Sequence, residues 1–162
     1  MSKETVIHVD GSSLNNQSAE RRAGYAIIFG PSDPRNRMFP VEGSKQTNNV
    51  AELNAVLAAL EATEPDEKSL IVSDSEYVVK GLVGMNGQKP WIENWQRNGW
   101  HTANRQPVKN REIWERLLAI SKKRSFRMRW QKAHIGHAGN DAADRAAKQA
   151  AARRFAKYVD RK

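Results

Sequence analysis

Two apolar runs in this chain end on a carboxylate, and that constrains how they can be arranged. Residues 5–11 read TVIHVDG and residues 69–74 read SLIVSD. Length and β-branched content mark both as buried strands, with Asp10 and Asp74 at or next to their carboxyl ends. A carboxylate there is costly to bury unless it is paired. Two further acids, Glu52 in TNNVAELNA and Asp144 in GNDAADRAA, lie in runs with helical patterning. A fold that brings the four together sets like charges against one another unless cations neutralise them. Hard divalent ions such as Mg²⁺ take oxygen ligands of this kind.

The other runs supply the rest of a sheet and its helices. Residues 23–30 (AGYAIIFG) predict a second strand. Residues 37–43 (RMFPVEG) predict a shorter third, which Pro40 places at an edge or a bulge. Between the first two strands SSLNNQSAERR is polar and turn-rich. Residues 48–63 predict a helix with Val50, Leu53, Val56, Leu57 and Leu60 on one face, Thr47 or Asn48 as its cap, and Pro65 as its stop. Residues 75–83 predict a short helix and residues 84–90 a loop. The stretch 91–107 holds Trp91, Trp95 and Trp100, three of the five tryptophans; Trp91 and Trp100 are expected in the core. Residues 110–124 predict an amphipathic helix capped by Asn110. Residues 126–134 predict a half-exposed strand with Phe126, Met128 and Trp130 alternating against Arg127, Arg129 and Gln131. Residues 140–159 predict an Ala-rich helix with Asp144 one turn in, near the positive end that favours a carboxylate. Three successive strands make an antiparallel meander. A right-handed crossover then returns the fourth strand parallel to the first. Asp10 and Asp74 would sit side by side at the carboxyl ends, where open α/β sheets bind ligands.

A length of 162 residues suits one domain, residues 1–162, with its own core and a basic tail from about residue 153. There is no cysteine, which excludes disulfides and thiolate metal sites. No run approaches membrane-spanning length, and the start lacks a signal-peptide pattern. The expectation is a cytoplasmic monomer. Charge discriminates more sharply. Residues 1–76 hold 7 Lys/Arg against 12 Asp/Glu, net −5, while residues 77–162 hold 20 against 6, net +14. That asymmetry points to a polyanion gripped by the second half of the chain. Acids that call for divalent cations, beside a basic surface, imply a metal-dependent nuclease, because paired ions catalyse in-line attack on phosphodiesters.

Five motifs sharpen this. DGSSLNN follows the first strand, KQTNNVAE leads into the first helix, and SDSEYV, WIENWQRNGWHT and HIGHAGNDAAD follow in order. In this order and spacing they resemble the type 1 ribonuclease H family, over about residues 5–148. The resemblance implies a ribonuclease H-like α/β fold: a five-stranded mixed sheet, three antiparallel strands then two parallel, with helices on both faces. It implies an endoribonuclease that cuts the RNA strand of RNA–DNA hybrids, leaving 3′-hydroxyl and 5′-phosphate ends. It also implies two Mg²⁺ per site, which Mn²⁺ can replace. Asp10, Glu52, Asp74 and Asp144 match the metal-binding carboxylates. By that match Asp10 bridges the two ions, Asp144 serves the ion that activates water, and Glu52 and Asp74 serve the ion at the leaving 3′-oxygen. His134 fits the H-x-G-x-x-G-N pattern of the family's catalytic histidine, which leaves His137 as a solvated loop residue. Asp141 reads as a helix-dipole partner.

The same resemblance assigns substrate contacts. Asn16, Gln46 and Asn48 match positions that contact the RNA strand. Lys45, Thr47 and Asn110 match a pocket for one phosphate of the DNA strand. Tyr77 and Trp95 match an aromatic channel against its sugars. Departures from the family pattern also matter. The stretch 91–107 is only moderately basic, with Lys89, Arg97, Arg105 and Lys109 in or beside it, which shifts expected affinity toward Arg145, Lys148, Arg153 and Arg154. The first strand begins almost at once, so no separate N-terminal hybrid-binding domain is expected, and strong processivity is not. Transposases, integrases, resolvases and the ribonuclease H domain of reverse transcriptases share the fold and the acids. TNNVAE, NGW and HIGHAGN together argue against integrases and resolvases. A catalytically silent nucleic-acid-binding module would be favoured by loss of an acid, and all four are present.

Overall fold

The computed structural model describes residues 3–15, 21–132 and 138–160, with side chains for 3–14, 22–132 and 138–152. Five strands, β1 (Thr5–Asn15), β2 (Arg21–Ile28), β3 (Arg37–Pro40), β4 (Lys68–Ser73) and β5 (Ser125–Trp130), form one sheet in the order β3-β2-β1-β4-β5. The helices are α1 (Asn48–Ala62), α2 (Glu76–Leu82), α3 (Trp91–Asn98), α4 (Arg111–Ser121) and α5 (Ala138–Asp160). β1, β2 and β3 are antiparallel neighbours, whereas β4 runs parallel to β1 and β5 parallel to β4. The expected meander and crossover are therefore present, and β3 with its Pro40 is an edge strand.

Alternation along the strands sends side chains to two layers. Ile7, Val9, Ile27 and Ile71 face α1 and join Leu53, Val56, Leu60, Trp114 and Leu117 in the main core. On the other face Gly24 lies directly under α5, where an added Cβ would stand 2.4 Å from the Ala151 nitrogen. Ala143, Ala147, Ala150 and Ala151 are buried along that helix. Small residues on both sides allow helix and sheet to approach closely. α1 is buried on more than the predicted face, since Ala51, Ala55 and Ala59 are buried as well as the aliphatic stripe. It sits between the sheet, α2 and α4. Among the described residues no helix is long and apolar enough to cross a membrane.

Three expectations about local structure are corrected, and one unassigned stretch gains an element. The polar segment after Gly11 is not a turn over its first residues: β1 continues to Asn15, paired residue for residue with β2 back to Arg21. Antiparallel pairing satisfies the backbone there whatever the side chains. The stretch after Pro90 contains a helix, α3, ended by Gly99 in the left-handed conformation at φ 80°. α5 begins at Ala138, so Asp144 is its seventh residue, nearly two turns in rather than one. Asn110 stands at the N-cap of α4, but its own φ is 62° and its side chain makes no capping bond.

Candidate active site

The carboxyl ends of the two central strands set the site. β1 and β4 pair His8 with Val72, and the same register carried two residues on sets Asp10 beside Asp74. Asp74 is the first residue past β4. Its backbone carbonyl accepts a 3.0 Å bond from the Trp130 indole. Ser75 follows and caps α2 through Val78 N–H at 3.2 Å. The chain thus leaves the strand and starts a helix within two residues, which holds Asp74 at the carboxyl end of β4. Glu52 comes from α1, whose start is fixed by Thr47 Oγ1 accepting from Val50 N–H at 3.1 Å. One Glu52 oxygen accepts the Gly11 backbone N–H. Gly11 is required for this, because a Cβ would lie 2.4 Å from both the Ala51 carbonyl carbon and the Glu52 nitrogen.

Oxygens of Asp10, Glu52 and Asp74 lie within 4.8 Å of one another. Asp10 is 3% exposed and Glu52 8%. Asp144 is not one of that group of three, but it stands near enough to Asp10 to help raise its carboxyl, and it pairs with Lys148 at 3.1 Å. Burial first, and then the Asp74 charge, push the Asp10 carboxyl up to about 8. Burial and the neighbouring Asp10 charge hold Glu52 well above the ordinary glutamate range. Such groups resist ionising together, and a multivalent cation is the species that would let them do so. All-oxygen donors of this kind fit Mg²⁺ or Mn²⁺.

A pH dependence follows. The folded protein keeps the Asp10 proton up to about 8, while the unfolded chain releases it near an ordinary aspartate value of about 4. The native state therefore binds more protons between those limits, and stability falls as pH rises through them. In chelator the melting temperature should decline from about pH 5 to pH 8, and saturating Mg²⁺ should flatten that decline. Thermal melts in a pH series with and without the ion would measure it; a rise with pH in chelator would contradict the electrostatic account.

The remaining predicted residues fall in three places. Lys45 and Asn110 line one cleft of about 740 Å³ between the loop before α1 and the start of α4, with Thr47 at the α1 cap two residues beyond Lys45. Asn48 is exposed and accepts the Ser13 N–H at 2.7 Å. Gln46 differs from expectation. It is 7% exposed, its oxygen accepts from Ala23 N–H, and its amide donates to the Val41 and Gly43 carbonyls. Those bonds consume the amide in holding the loop, so its side chain is not offered to a ligand. Asn49, beside it in sequence, is exposed instead and stands one turn before Glu52 on the same helix face. Tyr77 and Trp95 are half-buried. Trp91, expected in the core, is 36% exposed. Its ring lies 6.1 Å from Tyr77 and 5.9 Å from Trp95, giving a continuous aromatic surface backed by buried Trp114. Trp100 is buried, as expected, and carries the Arg111 guanidinium 5.5 Å from its ring centre. Asn16, His134 and His137 lie outside the described residues, as do the side chains of Arg153 and Arg154.

A mixed sheet in the order β3-β2-β1-β4-β5, with carboxylates gathered at its two central strands, on α1 and on α5, defines the RNase H-like class of α/β proteins. The RNase H family model matches residues 2–152. The chain belongs to the RNase H family, as a type 1 catalytic domain. It is 44% identical over 151 residues to a ribonuclease H of Nitratidesulfovibrio vulgaris, spanning 93% of this chain and 91% of that one. It is 39% identical over 150 residues to a ribonuclease H of Schizosaccharomyces pombe, where the match spans 93% of this chain but only 54% of the relative. Among solved structures, LC9-RNase H1, described as a type 1 RNase H with the type 2 active-site motif, superposes at TM-score 0.68 with 25% identity, covering 93% of this chain and 74% of that one. The prototype foamy virus RNase H domain superposes at TM-score 0.70 with 23% identity, covering 93% and 96%, and so supports the fold alone.

Proposed function

We infer that this chain is a monomeric endoribonuclease that hydrolyses the RNA strand of RNA–DNA hybrids with divalent cations, two per site, leaving 3′-hydroxyl and 5′-phosphate ends. The observation that carries the reading is the cluster of Asp10, Glu52 and Asp74, the first two buried, with Asp144 near Asp10, on an RNase H fold. These four hold the cations in this reading. When bound, such ions generate the nucleophile at neutral pH and neutralise charge on the phosphodiester. The chain's own residues do the positioning. Gly11 N–H orients Glu52, and Trp130 tethers the backbone at Asp74. His134 moves a proton or assists product release.

Strand recognition follows from amide and aromatic chemistry. A 2′-hydroxyl both donates and accepts, which suits asparagine amides. Asn48, Asn49 and Asn16 take that role; Gln46 does not, because its amide is engaged within the protein. Lys45, Thr47 and Asn110 take a phosphate of the DNA strand. Tyr77, Trp95 and, from its exposure, Trp91 pack on DNA sugars. The test is purified protein against labelled RNA–DNA, RNA–RNA, DNA–DNA and single-stranded RNA, each with Mg²⁺ and with chelator. Cutting confined to RNA paired with DNA and abolished by chelation is expected; equal cutting of the DNA duplex would refute the reading.

Two further variants separate the substrate roles. Thr47→Ala with Asn110→Ala should weaken hybrid binding, leave Mg²⁺ binding intact and flatten the salt dependence by about one unit of slope or less. Unchanged affinity and slope, measured by titration at several salt concentrations, would reduce both residues to helix-terminal roles. His134→Ala should slow turnover by about 10²-fold or less with hybrid binding retained, while His137→Ala should be nearly silent. Single-turnover kinetics would show the reverse ranking if His137 carries the role.

A further inference from the structure

The Tyr77 hydroxyl joins two parts of the substrate surface that the sequence treats as separate. It accepts the Trp114 indole N–H at 3.1 Å and an Asn110 side-chain N–H at 3.4 Å. Trp114 is fully buried, so the hydroxyl is the partner that makes burial of its N–H tolerable. Asn110 holds an unusual backbone at φ 62° and makes no capping bond with its side chain. Its amide is turned toward Tyr77 instead of its own helix. A phenol oxygen has two acceptor sites and one hydrogen. With both acceptor sites used, the Tyr77 hydroxyl is left as a donor beside the cleft that Lys45 and Asn110 line. The Tyr77 ring meanwhile forms part of the aromatic surface with Trp91 and packs edge-on against buried Trp114.

We propose that the Tyr77 hydroxyl is a positioning and specificity-determining group: it fixes Asn110 relative to the aromatic surface and so sets the spacing between sugar platform and phosphate pocket for a deoxyribose strand. This rests on the hybrid-nuclease reading above. The ring alone would pack on a sugar equally well as phenylalanine. The hydroxyl is needed only if the platform and the pocket must be held at one separation. A ribose strand, with its different backbone geometry and 2′-hydroxyls, does not meet both at once.

The experiment is a double-mutant cycle on duplex affinity, in the 162-residue chain carrying Asp10→Asn so that bound duplex stays intact. Tyr77→Phe should weaken RNA–DNA hybrid binding about 3- to 10-fold, the scale of one or two hydrogen bonds, and leave RNA–RNA binding unchanged. On an Asn110→Ala background Tyr77→Phe should cost nothing further, since the group it positions is gone. Tyr77→Phe also leaves the buried Trp114 N–H without an acceptor. The cycle is therefore repeated with Trp114→Phe, where no donor is orphaned and the link to Asn110 is read alone. An equal loss with and without the Asn110 amide, or no loss in any background, overturns the proposal. Failure of the parent protein to bind hybrid in preference to RNA–RNA would instead overturn the hybrid-nuclease reading and this inference with it.

Discussion

Asp10→Asn should abolish cleavage and at the same time leave the metal-free protein as stable as the parent or more so. Both effects come from one charge. Asp10 is nearly inaccessible and lies with Glu52 and Asp74 in one cluster, near Asp144, so in this reading it would help hold the cations. An amide there keeps the shape and one acceptor oxygen but supplies no charge to hold them. Removal of a single electrostatic group from an active site costs about 10²–10³-fold; loss of a carboxylate that would hold the cations should meet or exceed the upper figure. Hybrid binding should persist, because the basic and aromatic surfaces are untouched. Stability moves the other way. The carboxyl pushed up to about 8 marks a group whose ionisation opposes folding, and asparagine cannot ionise. The fall in melting temperature with rising pH in chelator should therefore be shallower in the variant. A clearly lower melting temperature at pH 8 in chelator would make Asp10 a structural residue, and robust cutting would remove it from the site altogether.

The acids were readable because each sits where local patterning is strong. Asp10 and Asp74 end apolar runs whose period and length fix strands, and parallel pairing of those strands brings them together without further information. Glu52 lies in a helix whose stripe is plain in the sequence. Exposure was harder to read. Trp91 was expected in the core because large aromatic residues in a cluster usually pack inward. The core position is instead taken by Trp114, twenty-three residues on, and Trp91 is left exposed against Tyr77 and Trp95, the rings that pack on Trp114. α3 itself could have been found, since Pro90 and Gly99 bracket it in the usual start-and-stop order. Gln46 shows the opposite limit. An amide in a polar loop looks available to a ligand, and only the tertiary fold shows three backbone groups meeting on it. Asn110 shares that limit: its spacing marks a cap, but its left-handed backbone turns the side chain toward Tyr77. Strand period, helix period and charge are local quantities. Which polar group is left over after folding is not.

Gly11→Ala should be among the most damaging single changes available to this chain, and it should harm the fold and the site together. The cause is a close approach rather than backbone conformation. β1 passes under α1 so tightly that a Cβ at this position would stand 2.4 Å from two backbone atoms and 2.7 Å from the Ala51 Cβ. None of these is the end of a flexible side chain that can swing away. Either α1 lifts from β1 or the strand buckles. Overpacking of this kind costs about 1–3 kcal/mol where neighbours can adjust and more where they cannot. The same movement would pull Glu52 away from the Gly11 N–H that holds it and spread the carboxylates. Gly84→Ala is the control. There φ is 85° and a Cβ would clash with the Gln88 carbonyl oxygen, so the penalty is again one of backbone crowding, but it falls in the loop after α2, outside β1, β4, α1 and α5. Both variants should melt below the parent. In the folded fraction at low temperature, Gly84→Ala should bind Mg²⁺ with near-parental affinity by calorimetry, while Gly11→Ala should bind it measurably more weakly. Equal affinities in the two variants would mean that the α1–β1 contact supports the fold without setting the geometry of the acids.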